Sequence, residues 1–169
     1  MGEDVDLRQL LEPATVAGPP WIYKADLRND LVRRALKAAP EGAIVAGLDS
    51  ESMQTLDGFF DVVAREFSFP DYFGRNWPAF DECLSDIYEY MGNRSVVAVF
   101  RNSEFLLRCS KEDLQILISI VHKVAPELAE GVAKGEPWDR PPVAFHVVFD
   151  LGVEVHEFGL ALPVIHPPS

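Results

Sequence analysis

Ser95-Val-Val-Ala-Val-Phe100 is six residues long, carries no charge and includes three valines. Successive side chains of a strand point to opposite faces, so a strand with one wet face alternates apolar and polar residues. A run that is apolar throughout is covered on both faces, as in a parallel sheet held between helices. Two other runs match it: Ala43 to Leu48 (AIVAGL), between Gly42 and Asp49, and Val143 to Asp150 (VAFHVVFD). Helical spacing fills the intervals. Met53, Leu56, Phe60, Val63 and Phe67 recur every three or four residues on one helix face, and Pro70 ends that segment. Trp77, Phe80, Leu84, Ile87 and Met91 are the inward positions of a second helix over about Trp77 to Met91, with Cys83 beside them. Gly92-Asn93 then punctuates the approach to Ser95. Before the third run, Ser110-Lys111-Glu112-Asp113 reads as a capping box. It opens a helix with Leu114, Leu117, Ile118, Val121 and Val124 on its apolar side, which Pro126 is expected to kink or end. A Gly- and Pro-rich connection spans Gly131 to Pro142. The expected architecture is an α/β fold, a small three-stranded parallel sheet flanked by helices with right-handed crossovers.

The rest of the chain reads as extensions of this unit. Residues 1–40 comprise a lead-in from Met1 to Pro20 and a helix from Asp26 to Ala39, capped by Asp26 or Asn29 and stopped by Pro40. Residues 41–152 form the main domain and 153–169 a tail. The tail alternates in part from Val153 to Ile165 and is the place for a further edge strand, limited by its prolines. At 48% hydrophobic residues the 169-residue chain has enough apolar material for a core. A net charge of -12 argues against direct nucleic-acid binding and against an anionic membrane surface, and favours a basic partner. No apolar run approaches the ~20 residues that a membrane span requires, and the acidic N-terminus does not read as a signal peptide. Cys83 and Cys109 lack metal spacing, and free thiols fit a cytoplasmic location.

The segment from Asp71 to Tyr90 sets five acids, Asp71, Asp81, Glu82, Asp86 and Glu89, against the single base Arg75. On a helix whose inner side holds Phe80, Leu84, Ile87 and Met91, the carboxylates of Glu82, Asp86 and Glu89 share the outer side. Like charges so placed repel by ~0.2–0.5 kcal/mol per pair, which a cation from outside would turn into a gain. Asp81 lies within the first turns, where the helix dipole favours an anion. Asn76 or Trp77 caps the helix. Pro78 fits its first turn and biases Trp77 away from helical dihedrals, which favours Trp77 as the cap. Tyr72 and Phe73 place two aromatics in a connection expected to be exposed, and Gly74 permits a positive φ or a close approach by a partner.

Pro70-Asp71-Tyr72-Phe73-Gly74-Arg75-Asn76-Trp77, followed by Ala79-Phe80-Asp81-Glu82-Cys83-Leu84, resembles the toxin-binding segment of the barstar family, the intracellular protein inhibitors of secreted ribonucleases. The order strand, helix, loop, helix, strand, helix, strand is similar over about Ala43 to Asp150. The resemblance implies an immunity protein that is not an enzyme and uses no cofactor or metal. Its partner would be a basic ribonuclease or related toxin, bound as a monomer in a one-to-one complex. By register, Tyr72 and Gly74 become loop contacts, Glu82 falls where the family has its dominant acid, and Ser85 matches a small polar contact one turn later. A further family acid falls near Gln115, with Glu112 and Asp113 close by. Two positions depart from the pattern: Pro78 stands where an acid is usual and Asp81 where an aromatic is known. The acids have therefore moved along the helix. The partner-facing set is Tyr72, Phe73, Gly74, Arg75, Asn76, Trp77, Pro78, Asp81, Glu82, Ser85, Asp86 and Glu89. The alternative is a barstar-fold interaction module with no nuclease target.

Other chemistry finds weaker support. Neither GxGxxG nor GxxxxGK[ST] occurs. His146, Glu154 and His156 would make a metal site only if the tail paired with the third strand; His146 reads better as a hydrogen-bonded core residue. Cys83 lies on the inward side of its helix, where burial raises a thiol's pKa and suppresses its reactivity. No catalytic residue is assigned.

Overall fold

A computed structural model describes residues 5–11, 20–150 and 162–167. In chain order its elements are β1 (Val5–Asp6), α1 (Leu7–Leu11), β2 (Ile22–Ala25), α2 (Asp30–Lys37), β3 (Ala43–Asp49), α3 (Leu56–Glu66), α4 (Trp77–Ser85), α5 (Ile87–Tyr90), β4 (Ser95–Arg101), α6 (Lys111–Glu130), β5 (Phe145–Asp150) and β6 (Val164–His166). Short 3-10 turns follow β3 at Ser50–Ser52 and β4 at Ser103–Phe105. The strands form one parallel sheet in the order β1-β6-β2-β5-β4-β3.

The three apolar runs are therefore half of a larger sheet, in place of the small three-stranded one expected. β2 pairs with β5, Ile22 opposite Val147 and Ala25 opposite Asp150. β6 lies between β1 and β2, inside the sheet where an edge was expected. The reason is tertiary. Four residues that include a lysine carry no decisive period of their own, but they gain a full row of hydrogen bonds beside the otherwise open side of β5. The lead-in expected from Met1 to Pro20 contains β1 and α1; residues 12–19 lie outside the described residues, as do residues 151–161 of the tail.

Alternation along β4 sorts the core into two layers. Val96, Ala98 and Phe100 face one side with Phe59, Phe60, Phe80, Leu84, Leu117 and Val124 from α3, α4 and α6. Val97 and Val99 face the other with Leu7, Leu10 and Val32 from α1 and α2. Uninterrupted apolarity in β4 thus reports helices on both faces. Each fully buried phenylalanine contributes about 1.5–3 kcal/mol of transfer free energy.

Local signals set several boundaries. Asn29 caps α2 by accepting from Leu31 and Val32 N–H, so the helix starts later than Asp26. Thr55 caps α3 through Gly58 N–H at 3.2 Å. A Cβ on Gly58 would stand 2.4 Å from the Ser52 carbonyl oxygen, so the 3-10 turn can pack on α3 only over a glycine. Met53 precedes the helix yet is fully buried. Ser110 caps α6 by accepting from Asp113 N–H at 3.2 Å, which is half of the expected capping box; Ser110 N–H itself donates to the Leu107 carbonyl at 3.0 Å.

Two expectations are corrected. Of the kink or end expected at Pro126, the end does not occur: α6 continues to Glu130. Burial of Ala125 and Leu128 on either side offsets the lost backbone bond. The helix expected from Trp77 to Met91 is broken at Asp86, whose φ of -101° and ψ of 14° separate α4 from α5. Just before the break, the Ser85 hydroxyl donates to the Asp81 carbonyl at 2.9 Å, the kind of back-bond that bends helices.

Candidate functional site: the acidic junction of α4 and α5

The connection between α3 and α4 is fixed by its own side chains. Phe73 N–H donates to the Pro70 carbonyl at 2.9 Å. The Phe73 ring turns inward against Phe69 at 5.1 Å and Phe60 at 5.7 Å, and is half-buried. Only Tyr72 of the aromatic pair is exposed, at 77%, with its hydroxyl 3.4 Å from that of Tyr90. The positive φ expected at Gly74 occurs at Arg75, at 53°. Gly74 serves close approach instead: a Cβ there would lie 3.2 Å from Asn76 Nδ2 and 3.4 Å from Ala79 Cβ.

Asn76, not Trp77, caps α4: its side-chain oxygen accepts from Ala79 N–H at 2.9 Å, and its amide donates to the Gly74 carbonyl at 3.1 Å. Pro78 follows in the first turn, exposed, where its missing N–H leaves no gap. The Trp77 ring packs at 5.3 Å from both Phe59 and Phe60, and its indole N–H donates to Asp113 Oδ1 at 2.9 Å. Trp77 therefore ties α4 to the start of α6.

The charges divide into matched and unmatched sets. Arg75 pairs with Asp61 and reaches Asp57 at 3.7 Å, both on α3. Asp81 pairs with Lys123 of α6 at 2.8 Å. Among the described residues, no lysine or arginine forms an ion pair with Glu82, Asp86 or Glu89. Glu82 and Glu89 are exposed and Asp86 is half-buried. Partial burial pushes the Asp86 carboxyl above its ordinary range; Glu89 and Glu82 push the same way, and Arg140 opposes them in part. Tyr88 donates to Glu89 at 3.4 Å, while the Arg140 guanidinium lies 4.9 Å over the Tyr88 ring. Arg140 and Tyr88 escape sequence reasoning, because no spacing rule joins residues fifty positions apart.

The remaining candidates take bland roles. Cys83 is buried, and burial raises its thiol, with Glu82 adding to the effect. Glu112 and Gln115 line a shallow depression on α6 with Ile116, Ser119, Ile120 and Lys123. His146 is fully buried, stacked at 5.7 Å on Trp21 and edge-on to Tyr23. Neither of its ring nitrogens has a hydrogen-bond partner among the described residues, contrary to expectation. Glu154 and His156 lie outside the described residues, among which no three His, Cys, Asp or Glu side chains are grouped to hold a metal. No helix among the described residues is long and apolar enough to cross a membrane.

An aromatic loop, an asparagine-capped helix and an outer row of carboxylates thus stand together on a parallel α/β scaffold. The profile of the family Barstar (barnase inhibitor) matches residues 44–150, from β3 to the end of β5. This chain belongs to the barstar family. The matched span holds α3, α4, α6 and the whole acidic junction; β1, β2 and β6 lie outside it. No curated protein matches the chain. Among solved structures, that of the Aeropyrum pernix ORC2 protein as ADPNP–ADP complexes is 13% identical, with a TM-score of 0.52, over 100% of this chain and 50% of that one. The ADP form of the same protein is 14% identical, with a TM-score of 0.48, over 85% of this chain and 38% of that one. The barstar-family chain spans half or less of their length, and the likeness to the ADPNP–ADP complexes is one of fold alone.

Proposed function

We propose that this barstar-family chain is a cytoplasmic immunity protein that blocks the active site of a basic ribonuclease-type toxin in a one-to-one complex, without catalysing a reaction itself. The observation that carries this reading is the set Glu82, Asp86 and Glu89, which forms no ion pair among the described residues, beside exposed Tyr72; Arg75 and Lys123 are paired with other acids, and Arg140, which offsets Asp86 in part, donates to the Glu127 and Leu128 carbonyls. A ribonuclease holds cationic side chains for the phosphates of its substrate. Carboxylates replace those phosphates in charge-assisted hydrogen bonds and offer no bond to cleave. The mutual repulsion of the three acids is relieved when the enzyme supplies cations. Asn76 and Trp77 set the direction of α4, so Glu82 is presented without reorganisation. Steering by the net charge speeds encounter and weakens with salt; such steering is best known from the barnase–barstar pair itself, and the expectation is inherited from it.

The test is to titrate barnase with the full chain while following RNA hydrolysis. Activity should fall to zero at one equivalent, and Glu82→Ala should weaken inhibition by about 2 kcal/mol or more with thermal stability unchanged. Full RNA hydrolysis at excess wild-type chain would sink the proposal.

A further inference from the structure

We infer that the connection from Gly131 to Pro142 is a second arm of the partner-binding surface, in which the exposed indole of Trp138 docks on the same basic ribonuclease; this rests on the inhibitor reading above. The connection has no regular element, yet it is closed at both ends. Val132 and Arg140 exchange two backbone hydrogen bonds of 2.9 Å, forming an antiparallel bridge at its stem. At its tip the Asp139 carboxylate accepts from Lys134 N–H at 3.0 Å and Gly135 N–H at 2.7 Å, and Asp139 N–H donates to the Glu136 carbonyl at 3.0 Å. Gly131 holds the stem at a φ of 65°, and a Cβ there would stand 2.7 Å from Pro142 N.

Trp138 sits on this tied loop 65% exposed, whereas Trp21 is 4% exposed and Trp77 is packed into the core. A tryptophan held out by a fixed backbone keeps a large apolar surface in water at little further entropic cost on docking. Tryptophan is also the residue type most enriched among the anchors of protein interfaces.

Arg140 gives the loop its place. Its guanidinium donates to the Glu127 and Leu128 carbonyls at the end of α6, stacks over Tyr88 of α5, and lies close enough to Asp86 to lower that carboxyl. Trp138 is two residues away, within about 7 Å along the backbone. The stem of its loop therefore flanks the acidic junction. The connection itself is neutral, with Glu136 and Asp139 against Lys134 and Arg140, so the negative field beside it is that of Glu82, Asp86 and Glu89. Nucleic acid and anionic membranes are repelled from such a surface, whereas a basic protein is attracted and can set an arginine or lysine on the face of the indole.

The test uses the full chain labelled with 5-fluorotryptophan, whose three tryptophans give three fluorine NMR signals, with unlabelled barnase as the probe. On saturation the Trp138 signal should shift while that of Trp21 stays in place. Trp138→Ala should weaken binding at least about tenfold at an unchanged unfolding temperature, and Trp138→Phe should recover part of the loss. If Glu82→Ala weakens binding but the Trp138 signal and the Trp138→Ala affinity do not move, the arm is refuted and the inhibitor reading stands. Weaker binding by Trp138→Ala with an unmoved wild-type signal also refutes it, because the indole then acts from outside the interface. If barnase does not bind at all, both readings fall together.

Discussion

Two regions of this chain hold polar groups incompletely partnered among the described residues, carboxylates without an ion pair in one and an imidazole without a hydrogen bond in the other, and they stand in opposite surroundings. At the junction of α4 and α5, Glu82, Asp86 and Glu89 meet no lysine or arginine in an ion pair, but water reaches them and so can a partner. His146, in the middle of β5, is sealed between Trp21 and Tyr23 with both ring nitrogens unpartnered. An unmatched charge at the surface costs little and remains available for binding. An unmatched group in the core is tolerated only while neutral. The lesson concerns the matched groups as well. Asp81 and Arg75 add to any count of charge around α4, yet each is satisfied by a neighbouring helix, so the count does not locate the site.

The largest effect expected from this contrast is at His146. Burial depresses its pKa from 6.5 to about 4. The unfolded chain therefore binds the proton first as pH falls. Stability is fully present above about 6.5, is lost progressively down to about 4, and changes no further below that on this group's account. The loss is roughly 3 kcal/mol by linkage. Urea unfolding from pH 4 to 7 should show this slope in the wild type and lack it in His146→Leu; identical slopes would mean that the ring finds a partner in solution.

At the surface, Glu82→Ala should cost about 2 kcal/mol or more in affinity for barnase while unfolding free energy moves by less than about 0.5 kcal/mol. The reverse pattern, stability lost and affinity kept, would make Glu82 structural. Asp86 sharpens the comparison through its sign. Its folded pKa lies above its ordinary value, so its contribution falls as pH rises from the ordinary carboxylate range through the raised one, opposite in direction to His146. Asp86→Asn should remove that fall, leaving the chain more stable near neutrality but a poorer inhibitor, as read by paired unfolding and inhibition titrations. The smallest effect is expected at Lys123. Lys123→Met frees Asp81 and should leave the unfolding midpoint almost unchanged, since the pair is partly exposed. It should also quicken association with barnase at low salt and steepen its decline with salt, measurable by stopped flow.

Much of this was legible along the chain. Apolar runs gave β3, β4 and β5, three-and-four spacing gave α3 and α6, and Ser110 and Asn29 marked helix starts by oxygens that satisfy free backbone donors. Pro70 to Leu84 carried the family resemblance that the profile over residues 44–150 bears out. Less was legible wherever a partner lies far away in sequence. Ile22–Ala25 and Val164–His166 become strands through β5 and one another. Tyr72 and Phe73 are neighbours of similar character, and only the position of Phe60 and Phe69 decides which of them turns inward. Arg140 reaches α5 from a connection that reads as plain loop.

Composition and period, which act between near neighbours, determined by themselves the parallel α/β class, the caps at Asn29 and Ser110 and the acidity of the α4–α5 segment, while the motif from Pro70 to Leu84 carried the family. The tertiary structure alone decided that the described strands form a six-stranded sheet, that Asp81 has an ion pair and Glu82 does not, and that Arg140 reaches Tyr88 and Asp86 from the connection after α6. Pairing of distant strands and the satisfaction of one charge by another depend on distances in space, and sequence spacing encodes those only within a turn of helix or a step of strand.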